Sequence, residues 1–247
     1  MIIDGHIHIG DWLYRHYSSL SVTVKDLDTL LKKSGIDGAI LFPSDKKDNR
    51  GLLDQIKRGV NRKYWFFPWI DPKIKDWNEF VKNNLRDISG IKIHSSLDGI
   101  MGGLTNKLYR PVLELAKEEK LLMYVHCGRW QKAASYKFVL HMAGEYPGIN
   151  FIISHLGGDH EELKLQAPLD ARRMKTENVT FDISATRESW TIDNGVKILG
   201  AERFIFGSDF PVMHPRVALE CLNVSHITAN ERKMILGENV LNLLNRK

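Results

Sequence analysis

Cysteine is scarce in this chain. Two thiols in 247 residues, Cys127 and Cys221, are too few for a disulfide framework and suit a reducing compartment. No apolar run is long enough to cross a bilayer, and no basic stretch followed by a short apolar one opens the sequence. A soluble, cytoplasmic protein with no membrane partner is therefore expected. One-sided charge runs are missing too. The formal charge of +5 comes from 35 Lys and Arg against 30 Asp and Glu, and the densest basic cluster is only Lys46, Lys47, Asp48, Asn49, Arg50. Scattered charge of this kind describes a solvated surface rather than a nucleic-acid stripe, so no nucleic-acid partner is expected. Linkers, low-complexity stretches and shifts in composition are also lacking. Residues 1–247 are expected to form a single domain, large enough to bury a sizeable core.

What is present is a rhythm. Short, nearly all-apolar segments at 2–10, 38–43, 64–70, 89–94, 121–126, 150–155, 179–183 and 203–207 read as strands. Helical patterns separate them. One is capped by Thr23 or Asp26, runs to Ser34 and stops at Gly35. Another is built on Leu52, Leu53, Ile56 and Val60, and a third covers 77–85. Further patterns cover 106–120, with Leu108, Val112, Leu115 and Ala116 inward, then 135–145 and 161–175, the last kinked at Pro168. The series closes with 190–199, 215–222 and 230–244. Strands apolar on both faces belong in a parallel sheet covered on both sides. Eight βα units in this length are what a (β/α)8 TIM barrel requires. A doubly wound open sheet would carry a glycine-rich phosphate turn after the first strand, and none is there.

The first strand, IIDGHIHIG, puts His6 and His8 on one face with Asp4 one step behind. Two imidazoles on a rigid strand are half of a metal site. His94, His126 and His155 close the fourth, fifth and sixth strands, and Asp209 follows the eighth. In a barrel those strand ends surround one mouth. Taken singly, a strand-end histidine is usually a satisfied core or loop residue, and Asp209 in GSDFP could be an ordinary helix cap. Five of the ten histidines at strand ends together describe a site. Cys127, beside His126, faces the other way as a buried filler. His16, His141, His160, His214 and His226 fall in loops or helices and receive no ligand role.

Together DGHIH, GIKIH, VHCG, ISHLGG, FDIS, FGSDFP and the closing ILGENVLNLLN resemble the amidohydrolase superfamily, in its amidohydrolase-2 (decarboxylase-like) branch. The resemblance spans nearly the whole chain. It implies one divalent metal ion, most often zinc, held by His6, His8, His126 and Asp209, with His155 as a catalytic or water-positioning histidine beside it. Relatives with two metals carry a carboxylated lysine or a glutamate bridge on the fourth strand. Here Lys92 and His94 share a face, and the GIKIH form is similar to members without a bridge. One metal is expected, with Lys92 and His94 facing the substrate and a Lys92 carbamate as the alternative.

The chemistry follows from the residues themselves. A bound zinc ion brings the pKa of its water to about 7. Asp209 can accept that proton and pass it to a leaving group, while His155 hydrogen-bonds the attacked oxygen or orients the water. Asp4 would tie a ligand imidazole or the first loop. Hydrolysis of a C–N or C–O bond in a small carboxylated or cyclic substrate is the leading expectation. Non-oxidative decarboxylation at the same site is the alternative. A TatD-like phosphoesterase or nuclease fits less well, lacking the bridging glutamate and any basic patch with interleaved aromatics. A barrel that keeps the ligands without catalysis is the remaining reading. Specificity belongs to the loops at 11–20, 95–105, 128–134, 157–160 and 185–189. Among Trp12, Tyr14, Arg15, Tyr17, Arg129, Trp130 and Arg187, Trp12 and Arg129 are the foremost candidates to meet a planar or carboxylated molecule. The 95–105 loop is glycine-rich and suited to move over the mouth. Barrels of this kind often pair, so a homodimer is expected.

Overall fold

A computed structural model describes residues 1–14, 16, 19–59 and 62–245; Arg15, Tyr17 and Val60, named above, lie outside the described residues. The strands are β1 (Ile3–Asp11), β2 (Ser21–Val22), β3 (Gly38–Pro43), β4 (Lys63–Phe66), β5 (Gly90–Ile93), β6 (Leu122–Val125), β7 (Phe151–Ile153), β8 (Val179–Asp182) and β9 (Phe204–Ile205). The helices are α1 (Val24–Ser34), α2 (Asn49–Lys57), α3 (Trp77–Asn83), α4 (Arg110–Glu118), α5 (Gln131–Ala134), α6 (Tyr136–Glu145), α7 (Glu161–Met174), α8 (Ser189–Leu199), α9 (Pro215–Asn223), α10 (Ala229–Lys233) and α11 (Asn239–Leu244). Each of the eight expected strands forms; β2 is an addition that pairs antiparallel with the end of β1.

The eight parallel strands lie in two arcs, β1-β3-β4 and β5-β6-β7-β8-β9. Two seams join the arcs into a ring. At one, Phe66 bridges Ile88 and Trp69 bridges Lys92. At the other, the Gly5 N–H donates to Phe206 O at 2.9 Å and the His8 N–H to Phe210 O at 2.8 Å. The result is the closed (β/α)8 barrel that the sequence rhythm required.

Inside the ring, β1 departs from simple alternation. Its pairing with β3 slips by one residue between Asp4 and Ile7. A bulge of this kind reverses the facing of everything on one side of it. Ile3, which would otherwise share the outer face of Ile7 and Ile9, instead packs with Ile40, Phe42, Tyr124 and Ile205 in the barrel interior. Ile7 and Ile9 pack outward with the helices. His6 and His8 still point in, one strand repeat above Ile3. The interior is sealed at its N-terminal end by α11, whose Val240, Leu243 and Leu244 join Ile3 and Leu122. The buried histidines, Lys92 and Asp182 lie toward the opposite end.

Several expected boundaries move, and the closing helix read as 230–244 is broken into α10, a π-helical stretch at Met234–Glu238 and α11. The third strand, read as 64–70, stops at Phe66, because Pro68 has no N–H to offer the ladder. The helix read as 106–120 begins as a tight 3-10 turn, Lys107–Tyr109, before α4. That turn's shorter period rotates Leu108 outward to 41% exposure and buries Tyr109 in its place. The helix read as 77–85 ends at Asn83. α7 runs from Glu161 to Met174 with Pro168 inside it and Lys175 as its left-handed cap. α1 starts and stops where its signals say: Thr23 accepts from Asp26 N, Asp26 accepts from Thr23 N, and Gly35 adopts the left-handed cap conformation. Among the described residues, no helix is long and apolar enough to cross a membrane.

Candidate active site

The proton positions on two imidazoles organise the mouth. His8 Nδ1 lies 2.9 Å from the Pro43 carbonyl oxygen, which can only accept, so Nδ1 carries the proton and Nε2 a lone pair. His6 Nδ1 lies 2.6 Å from Asp182 Oδ2, and the same reasoning leaves His6 Nε2 bare. The two Nε2 atoms then face each other at 3.2 Å with no proton between them. Asp209 Oδ1 adds a third donor, 3.3 Å from His6 Nε2 and 3.7 Å from His8 Nε2. Three lone-pair donors converging in this way suit a divalent cation, and the set leaves coordination positions open, as catalytic sites do.

Asp209 is held there by its backbone. Its φ is +64°, a conformation that costs a non-glycine residue about 1–2 kcal/mol. The neighbouring hydrogen bonds enforce it. The Asp209 N–H donates to His6 O at 2.8 Å, while Asp4 Oδ1 accepts from Ser208 N at 2.9 Å and from His6 N at 3.1 Å. Asp4 thus ties the first strand to the last loop through backbone N–H groups, rather than a ligand imidazole or the first loop as expected. Gly207 permits the approach, since a Cβ there would sit 2.6 Å from Asp182 Oδ1 and 2.9 Å from His6 Cβ.

A second layer lies behind. Ser184 Oγ donates to Asp182 Oδ2 at 2.6 Å and lies 2.8 Å from His155 Nδ1. With its proton committed to the carboxylate, the hydroxyl accepts from His155 Nδ1–H. His155 Nε2 then accepts from His126 Nδ1–H across 3.2 Å, leaving His126 Nε2 as a lone pair. Among the described residues, His6, His8 and Asp209 bring donors within 4.8 Å of one another, as do His6, His155 and Asp182. The second group is already satisfied by the His6–Asp182 hydrogen bond. His126, expected as the fourth ligand, stands one residue outside the first trio. His155 reaches its place not from a strand but from a 3-10 turn, Ser154–Gly157, with His155 and Leu156 at φ +57° and +52°.

His94 forms a wall. Its ring stacks on His126 with centroids 3.7 Å apart, and on Trp69 at 5.0 Å. The Trp69 indole N–H donates to Asp98 Oδ1 at 3.1 Å, and Lys47 pairs with both Asp98 and Asp71 at 2.7 Å. Lys92, expected to face substrate, is fully buried below the trio, its Nζ 3.2 Å from His6 Nε2. Trp12 lies edge-on to His8, with ring centroids 5.3 Å apart. Arg129 is at the rim, its side chain 69% exposed and donating to Asp159 from Nε at 3.1 Å. Asp182, Ser184, Trp69 and Asp98 were given no role by sequence reasoning. Asp182 had a readable signal, a lone charge closing an apolar strand; Trp69 and Asp98 meet only through the fold.

Burial sets the electrostatics. It pushes His8 and His155 down to about 3, with the Lys92 charge adding to the effect. It also holds His6, His94 and His126 well below the usual histidine range. All five rings are neutral at pH 7, the form that binds metals. Burial lifts Asp182 to about 6 and Asp209 well above the carboxylate range, the latter opposed by Lys92.

The amidohydrolase family model, described as Amidohydrolase, matches residues 3–246. No curated protein matches the sequence significantly. Solved structures match across the whole chain. A Pseudomonas putida protein assigned as 2-pyrone-4,6-dicarboxylic acid hydrolase is 18% identical, with a TM-score of 0.76 over 98% of this chain and 97% of that one. A zinc-bound amidohydrolase from Burkholderia multivorans is 14% identical, with a TM-score of 0.73 over 99% of both. A dihydroxybenzoic acid decarboxylase from Polaromonas sp. JS666, with manganese and 2-nitroresorcinol bound, is 15% identical, with a TM-score of 0.74 over 98% and 97%. At these identities the likeness establishes the fold.

Proposed function

The chain belongs to the amidohydrolase family, and from that premise we propose that it is a metal-dependent hydrolase acting on a C–N or C–O bond of a small carboxylated substrate. The observation that carries this reading is the pair of bare Nε2 atoms of His6 and His8, 3.2 Å apart and flanked by Asp209. Those three residues, with His126 as the candidate fourth, would hold one divalent ion. Zinc is the first choice and manganese the second, since relatives of this fold carry each. When bound, the ion supplies Lewis acidity and an acidified water.

The protein's own residues supply the rest. Asp209 is the general base: burial disfavours its ionised form, so its carboxylate takes up a proton readily and can return it to the leaving group. His155, fixed by Ser184, orients the His126 ring by accepting its Nδ1–H. Arg129, at the rim, binds a substrate carboxylate by exchanging Asp159 for it. Trp12 and the Trp69–His94–His126 stack exclude water and offer flat surfaces to a planar molecule.

Decarboxylation is the second reading. The stacked wall suits an aromatic acid, and a relative of this fold is a dihydroxybenzoic acid decarboxylase. Carbon dioxide release, measured against appearance of a hydrolysis product over a panel of aromatic acids, lactones and amides, separates the two. Purified protein is expected to contain about one equivalent of zinc or manganese by elemental analysis. Asp209→Asn is expected to fold normally and lose roughly a hundredfold or more of turnover. Full activity in that variant would remove Asp209 as the base, and failure to retain metal after reconstitution would remove the mechanism.

A further inference from the structure

Lys92 is the buried charge that the mechanism above leaves unused. Its ammonium nitrogen has four neighbours: His6 Nε2 at 3.2 Å, Ser154 Oγ at 3.4 Å, and the ring faces of Phe42 and Tyr124, with centroids 4.6 and 4.7 Å away. Around His6 Nε2 the other close polar atoms are His8 Nε2 at 3.2 Å and Asp209 Oδ1 at 3.3 Å. His8 Nε2 is a lone pair, because its ring proton is on the Nδ1 that faces Pro43. The Lys92 ammonium can only donate, and at 3.2 Å it brings a proton to the His6 Nε2 lone pair.

That lone pair can be given once, to an ammonium or to a metal ion. We propose that Lys92 is a resident cation that competes with the divalent metal for His6 Nε2, so that the metal must break the Lys92–His6 hydrogen bond on entry. The proposal rests on the reading that His6, His8 and Asp209 hold a metal. Two further features support it. Lys92 rests on two aromatic faces, which stabilise an ammonium that has lost a hydrogen-bond partner, and Ser154 remains as an alternative acceptor. Once the metal is bound, two like charges lie close together in a site of low dielectric, so the ammonium lowers affinity at every stage. The device keeps the donor set satisfied before loading and the metal exchangeable after it.

The test needs no substrate. Protein stripped with a chelator is titrated with Zn²⁺ at fixed pH against a chromophoric competitor, comparing native chain with Lys92→Met. Methionine, one heavy atom shorter, keeps the unbranched apolar stem beside Phe42 and Tyr124 but carries no charge and no donor. Lys92→Gln serves as a second variant should the methionine protein not fold. The expected result is at least tenfold tighter Zn²⁺ binding in the variant, with slower release. Equal affinity would overturn the proposal while leaving the metal site intact. Weaker affinity or loss of metal would also overturn it, and would make Lys92 a contributor to the site, as a carboxylated lysine would be. If neither native chain nor variant binds Zn²⁺, and His8→Ala changes nothing, the metal reading itself fails and takes the proposal with it.

Discussion

The two ends of this barrel follow opposite rules. At the N-terminal end Ile3, Leu122 and Ile205 meet Val240, Leu243 and Leu244 of α11 in a wholly apolar plug. At the C-terminal end the strands present His6, His8, Lys92, Asp182 and, just beyond, His155, all nearly or fully buried, with His126 half-buried. The plug gains stability from each apolar contact. The mouth gives stability up: neutral rings, a buried ammonium, and His155, Ala185 and Asp209 in left-handed backbone. The difference teaches where to look for function in such a chain. The end that is poorly explained as packing is the end built for chemistry.

Acid breaks the comparison most strongly. His8 and His155 have folded pKa values near 3, against 6.5 for an ordinary histidine. A depressed pKa means the contribution is complete above pH 6.5 and is lost as pH falls toward 3. Asp4, lifted to about 7, and Asp98 and Asp182, lifted to about 6, act in the opposite sense, as does Asp209. They favour the fold when protonated and lose that contribution as pH rises. Rings and carboxyls oppose each other in the native profile, so the readout is the difference between native chain and His155→Asn, which isolates one ring; each tenfold change in a group's proton affinity on folding is worth about 1.4 kcal/mol. In urea unfolding with chelator present, the native chain is expected to lose about 2–3 kcal/mol more than His155→Asn between pH 7.5 and pH 4.5. Equal pH dependence in the two proteins would mean the His155 ring is not held neutral.

The plug gives the next effect. Leu243→Ala removes a buried side chain from the sealed end, and about 2–4 kcal/mol of stability should go with it. Zn²⁺ affinity at the mouth is expected to stay within twofold of native, read by the same competitor titration. A matching loss of metal affinity would mean that the two ends are coupled rather than separate.

How much of this was legible in the sequence follows the same division. The barrel could be read because its strands are short, apolar and evenly spaced, and because Thr23, Asp26 and Gly35 punctuate α1 as their chemistry demands. His6, His8 and Asp209 could be read because chemistry-bearing residues at strand ends must share a mouth. What stayed hidden depends on backbone detail or long-range meeting. The bulge at Asp4–Ile7 turns Ile3 inward without any composition signal, and the short turn before α4 turns Leu108 out. Trp69 and Asp98 are 29 residues apart and meet only because the β4–β5 seam brings them together. Lys92 reads as substrate-facing because strand periodicity gives the face, not the depth, of a side chain.

The smallest effect sharpens the comparison by belonging to neither end. Thr23 caps α1 on the outer helical layer, accepting from the Asp26 N–H at 3.2 Å while Asp26 accepts from the Thr23 N–H at 3.1 Å. Thr23→Ala leaves both ends of the barrel untouched and removes the two bonds of the Thr23 hydroxyl, from Asp26 N–H and to the Asp26 carboxylate, while the backbone N–H of residue 23 remains. A loss of about 1 kcal/mol is expected, with no dependence on pH between 6 and 8 and no change in Zn²⁺ affinity. A loss that shrinks with acid would tie the cap to the ionised Asp26 carboxylate, whose pKa the Thr23 hydroxyl lowers; the sign then places that shrinkage within and below the ordinary aspartate range, well away from the window in which the mouth histidines act. Acid lability near pH 6 can therefore be assigned to the mouth, provided Thr23→Ala and the native chain keep a constant difference across that window.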